Sequence, residues 1–110
     1  DVSIGEGTFI GKNAIINADS RIGKMCIINS GSVVEHENVI GDFAHLAVGS
    51  VLCGNVNVLD HSFIGANSTI IQGVTIGNDT QIGAGAVVLG DMPADCIAAG
   101  IPARVIRYKE

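Results

Sequence analysis

The feature that most constrains this 110-residue chain is an aliphatic residue at every sixth position. Neither the 3.6-residue period of a helix nor the two-residue period of a plain strand produces this step. Fourteen of the fifteen glycines fall one to three places after an aliphatic member, where glycine permits a tight bend. Each hexad is therefore predicted to contain one short strand and one bend. The unbroken series is Ile4, Ile10, Ile16, Ile22, Ile28, Val34, Ile40, Leu46, Leu52, Val58, Ile64, Ile70, Ile76, Ile82 and Val88.

Three such bends close a triangle, so three hexads form one coil of 18 residues. Coils of this kind stack at about 4.8 Å, the spacing between paired strands, and build a parallel β-helix. The sequence predicts an all-β domain over residues 1–93 and a C-terminal tail over residues 94–110. The five predicted coils are 4–21, 22–39, 40–57, 58–75 and 76–93.

Stacking every eighteenth residue also predicts what each face of the prism carries. One face presents an almost wholly apolar outward row, although it points away from the core; the row is Ile15, Val33, Val51, Thr69 and Val87. A contiguous apolar patch usually marks an interface. We predict a homotrimer closed around this face. Cover by an upstream segment is the alternative that remains open.

Composition excludes several classes of partner. The formal net charge is −5, and a chain that binds nucleic acid usually carries a basic surface. No apolar run reaches the roughly 18–20 residues of a membrane span, and no secretory signal is visible. The three cysteines, Cys26, Cys53 and Cys96, lack metal-ligand spacing and indicate reduced thiols in a cytoplasmic protein.

The stretch "VVEHENVIGDFAH", residues 33–45, holds two of the three histidines. A neutral imidazole can take a proton from an attacking amine or hydroxyl, and a neighbouring carboxylate can fix its tautomer. His36 has two such neighbours, Glu35 and Glu37. Gly54 lies one coil above His36, where its missing side chain leaves space. A solvated polar turn is the alternative that these residues alone leave open.

The stretch "NSGSVVEHENVIGDFAHLAVGS", followed by "CGNV", resembles the bacterial hexapeptide-repeat sugar acetyltransferases of the sialic acid O-acetyltransferase and UDP-N-acetylbacillosamine N-acetyltransferase type. The tail "AAGIPARVIR" resembles the closing motif of the same enzymes, with Arg104 at the basic position. The resemblance covers residues 4–93 and implies a left-handed β-helix. Such enzymes usually also carry an N-terminal βαβ domain for the nucleotide sugar, which these residues do not contain.

The resemblance implies an acetyltransferase that moves an acetyl group from acetyl-CoA to an amine or hydroxyl of a sugar or nucleotide sugar, without a metal. It also implies a role for individual residues. His36 matches the catalytic base, and Glu37 the residue that raises its basicity. The implied acetyl-CoA contacts are His45, the amide of Gly54, Ala66 and Ala84. Asn29 matches a residue that helps orient the acceptor, although an asparagine chosen for its turn is an equal alternative.

His36 lies on a corner of the predicted prism, whereas His45 lies on a face that this corner does not border. If both serve one site, they come from adjacent subunits. A β-helix of this kind could serve three rival functions. A zinc-dependent hydrase needs three converging histidines, and the spacing here differs, with His61 read as a surface residue. A non-catalytic trimerisation module is the main alternative, whereas an ice-binding helix would require a threonine ladder.

Overall fold

The structure is a computed structural model that describes residues 1–109. These residues contain seventeen strands, which form three sheets. Sheet 1 contains β1 (Ser3–Ile4), β4 (Arg21–Ile22), β7 (Val39–Ile40), β10 (Asn57–Val58) and β13 (Thr75–Ile76). Sheet 2 contains β2 (Phe9–Ile10), β5 (Ile27–Ile28), β8 (His45–Leu46), β11 (Phe63–Ile64), β14 (Gln81–Ile82), β16 (Cys96–Gly100) and β17 (Ala103–Tyr108). Sheet 3 contains β3 (Ile15–Ile16), β6 (Val33–Val34), β9 (Val51–Leu52), β12 (Thr69–Ile70) and β15 (Val87–Val88).

Parallel pairing with an 18-residue register joins each coil to the next. Val34 pairs with Leu52, and Leu52 with Ile70, so the aliphatic members of the six-residue series stack above one another. From Ile28 to Val88 these side chains are at most 2% exposed and form one continuous core. Burial of each such side chain contributes about 1.5–3 kcal/mol. The predicted left-handed parallel β-helix of about five coils is confirmed.

The bend of each hexad is made by a residue with a positive φ angle. This residue is the fourth of the hexad, and fourteen successive hexads show it, from Gly7 at φ 75° to Gly85 at φ 70°. Glycine and asparagine adopt this left-handed conformation most easily. Several turns place a larger residue there, including Glu37 and Phe43, both at φ 60°. These turns carry a backbone cost of about 1 kcal/mol each that the stacked coils offset.

The predicted C-terminal tail contains a β-hairpin that continues sheet 2. β16 pairs with β14 in parallel, matching Ile82 with Ala98, and β17 returns antiparallel to β16. The six-residue period ends before this segment, so the period alone gave no sign of these strands. Within the described residues, no helix is long and apolar enough to cross a membrane.

Candidate functional site

Two corners of the prism, one on each side of sheet 3, carry the predicted site residues. We call the turns from sheet 3 to sheet 1 the base corner; these include residues 35–38 and 53–56. We call the turns from sheet 2 to sheet 3 the groove corner; these include residues 29–32, 65–68 and 83–86. The apolar outward row of sheet 3 lies between these two corners.

His36 and Glu37 form a pair at the base corner. The Nδ1 atom of His36 and the Oε1 atom of Glu37 lie 3.1 Å apart, and both side chains are more than half exposed. A carboxylate at this distance accepts a hydrogen bond from a protonated Nδ1, which leaves Nε2 as the basic nitrogen. The pair therefore has the arrangement that a general base requires.

Glu35, the other carboxylate beside His36, bonds elsewhere. Its Oε1 accepts a hydrogen bond of 2.9 Å from Nδ2 of Asn17, one coil below. Of the two glutamates that flank the imidazole in the sequence, Glu37 is thus the one that contacts it. The residues alone left both glutamates open, whereas the family resemblance implied Glu37.

Gly54 lies directly against the imidazole of His36. A Cβ atom built on Gly54 would stand 2.7 Å from Cε1 and 2.8 Å from Nε2 of His36. These distances are too short for any side chain, so the ring occupies space that glycine alone leaves free. The Gly54 amide has no backbone acceptor within residues 1–109. It can therefore donate to a bound oxygen atom near Nε2.

A shallow apolar groove follows the groove corner. It encloses about 390 Å³, and its lining consists of Ala47, Phe63, Gly65, Ala66, Gln81, Ile82, Gly83, Ala84 and Ile97. Ala66 and Ala84, the two predicted cofactor contacts at this corner, both lie in it. Small side chains let a ligand approach the backbone closely. Ile97 of the C-terminal hairpin lines the groove as well, which the sequence did not suggest.

His45 lies beside this groove on sheet 2. Its ring meets Phe63 edge to face, with ring centroids 4.9 Å apart. Burial lowers the pKa of the His45 imidazole below its usual value, so the ring is neutral near pH 7. Its Nε2 atom is buried and has no hydrogen-bond partner within the described residues. A buried nitrogen of this kind usually has a hydrogen-bond partner, and none of residues 1–109 supplies one.

Asn29 lies at the groove corner, away from His36. Its Oδ1 accepts a hydrogen bond of 2.8 Å from the Ser30 amide, within its own turn. Its side-chain amide nitrogen has no hydrogen-bond partner among residues 1–109 and can contact a ligand. Both uses that the sequence suggested for Asn29, the turn and the acceptor, are therefore compatible with this geometry.

Within one chain the predicted site residues thus form two groups. His36, Glu37 and Gly54 meet at the base corner, whereas Asn29, Ala66 and Ala84 lie at the groove corner, with His45 on the adjoining sheet. Sheet 3 separates the groups. Within residues 1–109 of one chain, His36 and His45 therefore belong to separate groups.

Among residues 1–109, the remaining ionisable and thiol groups do not form a further site of this kind. Cys26 and Cys96 are buried and Cys53 is partly buried, and all three are free thiols. Burial raises the pKa of the Cys26 thiol, which keeps it protonated and unreactive. Across residues 1–109, no three His, Cys, Asp or Glu side chains are grouped as metal ligands would be.

Several solved structures, acetyltransferases among them, share this fold. A variant of GDP-perosamine N-acetyltransferase from Caulobacter crescentus, in complex with CoA and GDP-perosamine, is 43% identical, with a TM-score of 0.96. The acetyltransferase domain of PglB from Neisseria gonorrhoeae, in complex with acetyl coenzyme A, is 31% identical, with a TM-score of 0.94. WeeI from Acinetobacter baumannii is 32% identical, with a TM-score of 0.74.

Each of these matches covers 96% of the present chain but only 50%, 51% and 55% of the respective relative. The chain therefore spans about half the length of the proteins that it matches. A comparison with curated protein sequences found no match.

The sequence model of the bacterial transferase hexapeptide family, with six repeats, matches residues 1–36 and 55–90. These residues make up more than half of the chain and follow the hexads that build the coils. The predicted resemblance to bacterial hexapeptide-repeat sugar acetyltransferases is confirmed. On its repeats and its fold, the chain belongs to the bacterial hexapeptide transferase family.

Proposed function

We propose that this chain is the catalytic β-helix of an acetyltransferase that moves an acetyl group from acetyl-CoA to the amine of a nucleotide-linked amino sugar. The observation that carries the proposal is the His36–Glu37 pair, seated against Gly54 with Nε2 free. The likeness to GDP-perosamine N-acetyltransferase favours an amine acceptor over a hydroxyl. Reduced thiols and a co-substrate made in the cytoplasm support a cytoplasmic location.

The reaction follows from these positions. The acceptor amine attacks the thioester carbonyl carbon while Nε2 of His36 removes its proton. Glu37 holds the opposite ring nitrogen and stabilises the imidazolium that forms. The Gly54 amide donates to the oxygen that becomes negative in the tetrahedral intermediate. Collapse of the intermediate forms the amide bond and releases CoA, whose sulfur takes the proton from His36.

Acetyl-CoA fits the groove corner better than the base corner. The groove is apolar and has small residues at Ala66 and Ala84, which suit a narrow pantetheine arm. Neutral His45 adds an unpartnered nitrogen beside the groove, and Asn29 lies at the same corner for contacts with the acceptor. This assignment also explains why the C-terminal hairpin contributes Ile97 to the wall.

A homotrimer would bring the two corners together. Each corner borders sheet 3, so packing of neighbouring chains around the apolar row would place the base corner of one chain against the groove corner of the next. Cyclic symmetry then repeats the same contact three times. The active site would lie between subunits, with His36 and His45 from different chains.

Mass spectrometry of the acetylated product tests the proposed activity, with acetyl-CoA and GDP-perosamine as the probe substrates. We expect a product heavier by one acetyl group, formed by the unaltered protein and lost in His36→Ala. Absence of both acetyl-CoA binding and product would favour the alternative of a trimerisation module without catalysis.

Mixed trimers test the shared site. His36→Ala and His45→Ala chains are each expected to be impaired, but trimers containing both hold some sites with both histidines intact. Activity should therefore return in part after subunit exchange. No recovery in trimers shown by native mass spectrometry to be mixed would contradict the placement of the two histidines in one intersubunit site.

A further inference from the structure

Asn38 breaks the pattern of the fifth position of the hexad. Residues at this position point into the prism, and nearly all are small. Apart from the partly buried Thr8, the polar members are fully or almost fully buried: Ser20, Ser32, Asn38, Ser50, Ser62, Ser68 and Thr80. Asn38 is the one amide in this group, and it directly follows the His36–Glu37 pair. A buried amide carries two polar groups that both need partners.

The hydroxyl residues use one oxygen atom to join successive coils. Ser62 illustrates the arrangement: its Oγ donates to the carbonyl of Gly77 at 2.6 Å and accepts from the amide of Thr80 at 3.3 Å. Both partners belong to the next coil. Among residues 1–109, the Ser62 hydroxyl therefore holds two coils together but makes no hydrogen bond within its own turn.

Asn38 divides these tasks between two atoms. Its Oδ1 accepts from the Val56 amide in the next coil, as a hydroxyl would. Its Nδ2 instead turns back and donates to the carbonyl of Glu35 at 2.9 Å, within its own turn. The same carbonyl also accepts from Oγ of Ser20 at 2.8 Å. The base-corner turn is thus braced from inside the prism.

This brace acts on both sides of the imidazole. The Glu35 carbonyl belongs to the peptide group that leads into His36, so its fixed orientation limits rotation of that peptide. Val56 follows Asn55, whose amide donates to the His36 carbonyl at 3.0 Å, and Gly54 packs against the ring. Asn38 therefore connects the turn that carries the base to the turn that supplies Gly54.

The backbone of this turn is one of those with a positive φ angle at a residue other than glycine. Glu37 has φ 60°, a conformation that costs a non-glycine residue free energy. Strained residues persist where surrounding contacts hold them. Here Asn38 directly follows Glu37 in the chain. Its side chain bonds to the Glu35 carbonyl and to the Val56 amide, so the backbone is held on both sides of Glu37.

We propose that Asn38 is a positioning residue for acetyl transfer: its side-chain amide holds the His36–Glu37 turn against Gly54. The inference rests on the proposed function, because it assumes that His36 is the base. Asn38 is buried and does not contact the substrates. It acts through the orientation of His36 and through the distance between His36 and Glu37.

Asn38→Ser separates the two bonds. A serine can still accept from the Val56 amide, as Ser62 does for Thr80, but cannot reach back to Glu35. We expect kcat to fall about 10-fold or more, because small misplacements of a catalytic group are costly, while KM for acetyl-CoA stays within about twofold. Ser62→Ala is the matched control, since it removes a buried coil-to-coil link at the corner without site residues. It should lower Tm and leave kcat unchanged.

Two further measurements keep the outcome decisive. Ser20→Ala removes the other donor to the Glu35 carbonyl and should lower kcat in the same direction if Asn38→Ser does not fold. The NMR resonance of the His36 Cε1 proton should shift or broaden in Asn38→Ser or Ser20→Ala, and not in Ser62→Ala. This signal reports on the turn even if the unaltered protein lacks acetyl transfer activity, an outcome that would reject the proposed function alone. An unchanged resonance, or a kcat equal to that of Ser62→Ala, would overturn the role of Asn38.

Discussion

Nδ1 of His36 lies 3.1 Å from Oε1 of Glu37, its immediate neighbour in the chain. The proposed base and its proposed orienting carboxylate therefore come from one turn, and their contact is present within a single chain. What assembly would add is the opposite side of the site, where a second chain would bring acetyl-CoA and the acceptor to Nε2. The His36–Glu37 turn and the side of the site proposed to come from a second chain can therefore be tested separately.

Gly54→Ala should reduce activity because the new Cβ would stand 2.7 Å from Cε1 of His36 and displace the ring. We expect kcat to fall about 10-fold or more, with acetyl-CoA affinity retained. Gly90→Ala is the matched control, since Gly90 occupies the same place in a later coil and a Cβ there meets nothing within 4 Å. Equal kcat values for the two variants would show that the ring tolerates displacement.

Ala66→Trp should abolish acetyl-CoA binding by filling the groove. Lys24 is the third residue of its hexad, as Ala66 is, but lies at the corner between sheets 1 and 2. Lys24→Trp should therefore leave acetyl-CoA binding intact. Isothermal titration calorimetry measures both affinities. Unchanged affinity in Ala66→Trp, in a protein with normal thermal stability, would show that the cofactor binds elsewhere.

Val51→Glu should dissociate the proposed trimer, because a carboxylate would be buried without a partner in the centre of the apolar row. Arg21→Glu places the same charge on an exposed strand position of sheet 1 and should leave the assembly unchanged. Analytical ultracentrifugation distinguishes the two results. A Val51→Glu protein with the mass of the unaltered assembly would exclude sheet 3 as the interface.

His45 should make stability depend on pH. Burial lowers its pKa in the folded chain below the ordinary value of 6.5. As pH falls below that value, the unfolded chain therefore binds a proton at this imidazole. The folded chain binds the same proton only at a lower pH. The stability that the neutral ring contributes is complete above this pH and declines below it.

The fall in Tm between about pH 7.5 and pH 5.5 should consequently be larger for the unaltered protein than for His45→Gln. Other groups titrate equally in both proteins, so the difference isolates His45. Identical pH dependence would mean that the imidazole is protonated as readily in the folded chain as in the unfolded one.

The sequence predicted the coils well because a six-residue period specifies both the buried position and the bend. Ile28 and Val88 are buried where the period places them. It did not predict the bracing role of Asn38, since that role depends on which way a buried amide turns. The family resemblance implied Glu37 as the partner of His36, but the residues alone left Glu35 equally open, because the choice depends on Asn17 in the coil below.

The C-terminal segment was predicted less well for a different reason. Its strands pair with sheet 2 outside the six-residue period, so no repeat identified them. The contribution of Ile97 to the groove depends on that pairing. A groove built from two segments that are distant in the sequence cannot be predicted from the spacing of neighbouring residues. The corners could be predicted because each is made from stacked repeats.

The central claim is that His36 is the general base of acetyl transfer, and the rate of the His36→Ala protein tests it most directly. General-base catalysis typically contributes about 10²–10⁴-fold, so kcat should fall on that scale, with acetyl-CoA affinity and the assembly retained. His61→Ala, which removes an exposed imidazole from the opposite corner, should keep full activity. A His36→Ala protein with kcat within about twofold of the unaltered protein would contradict the account.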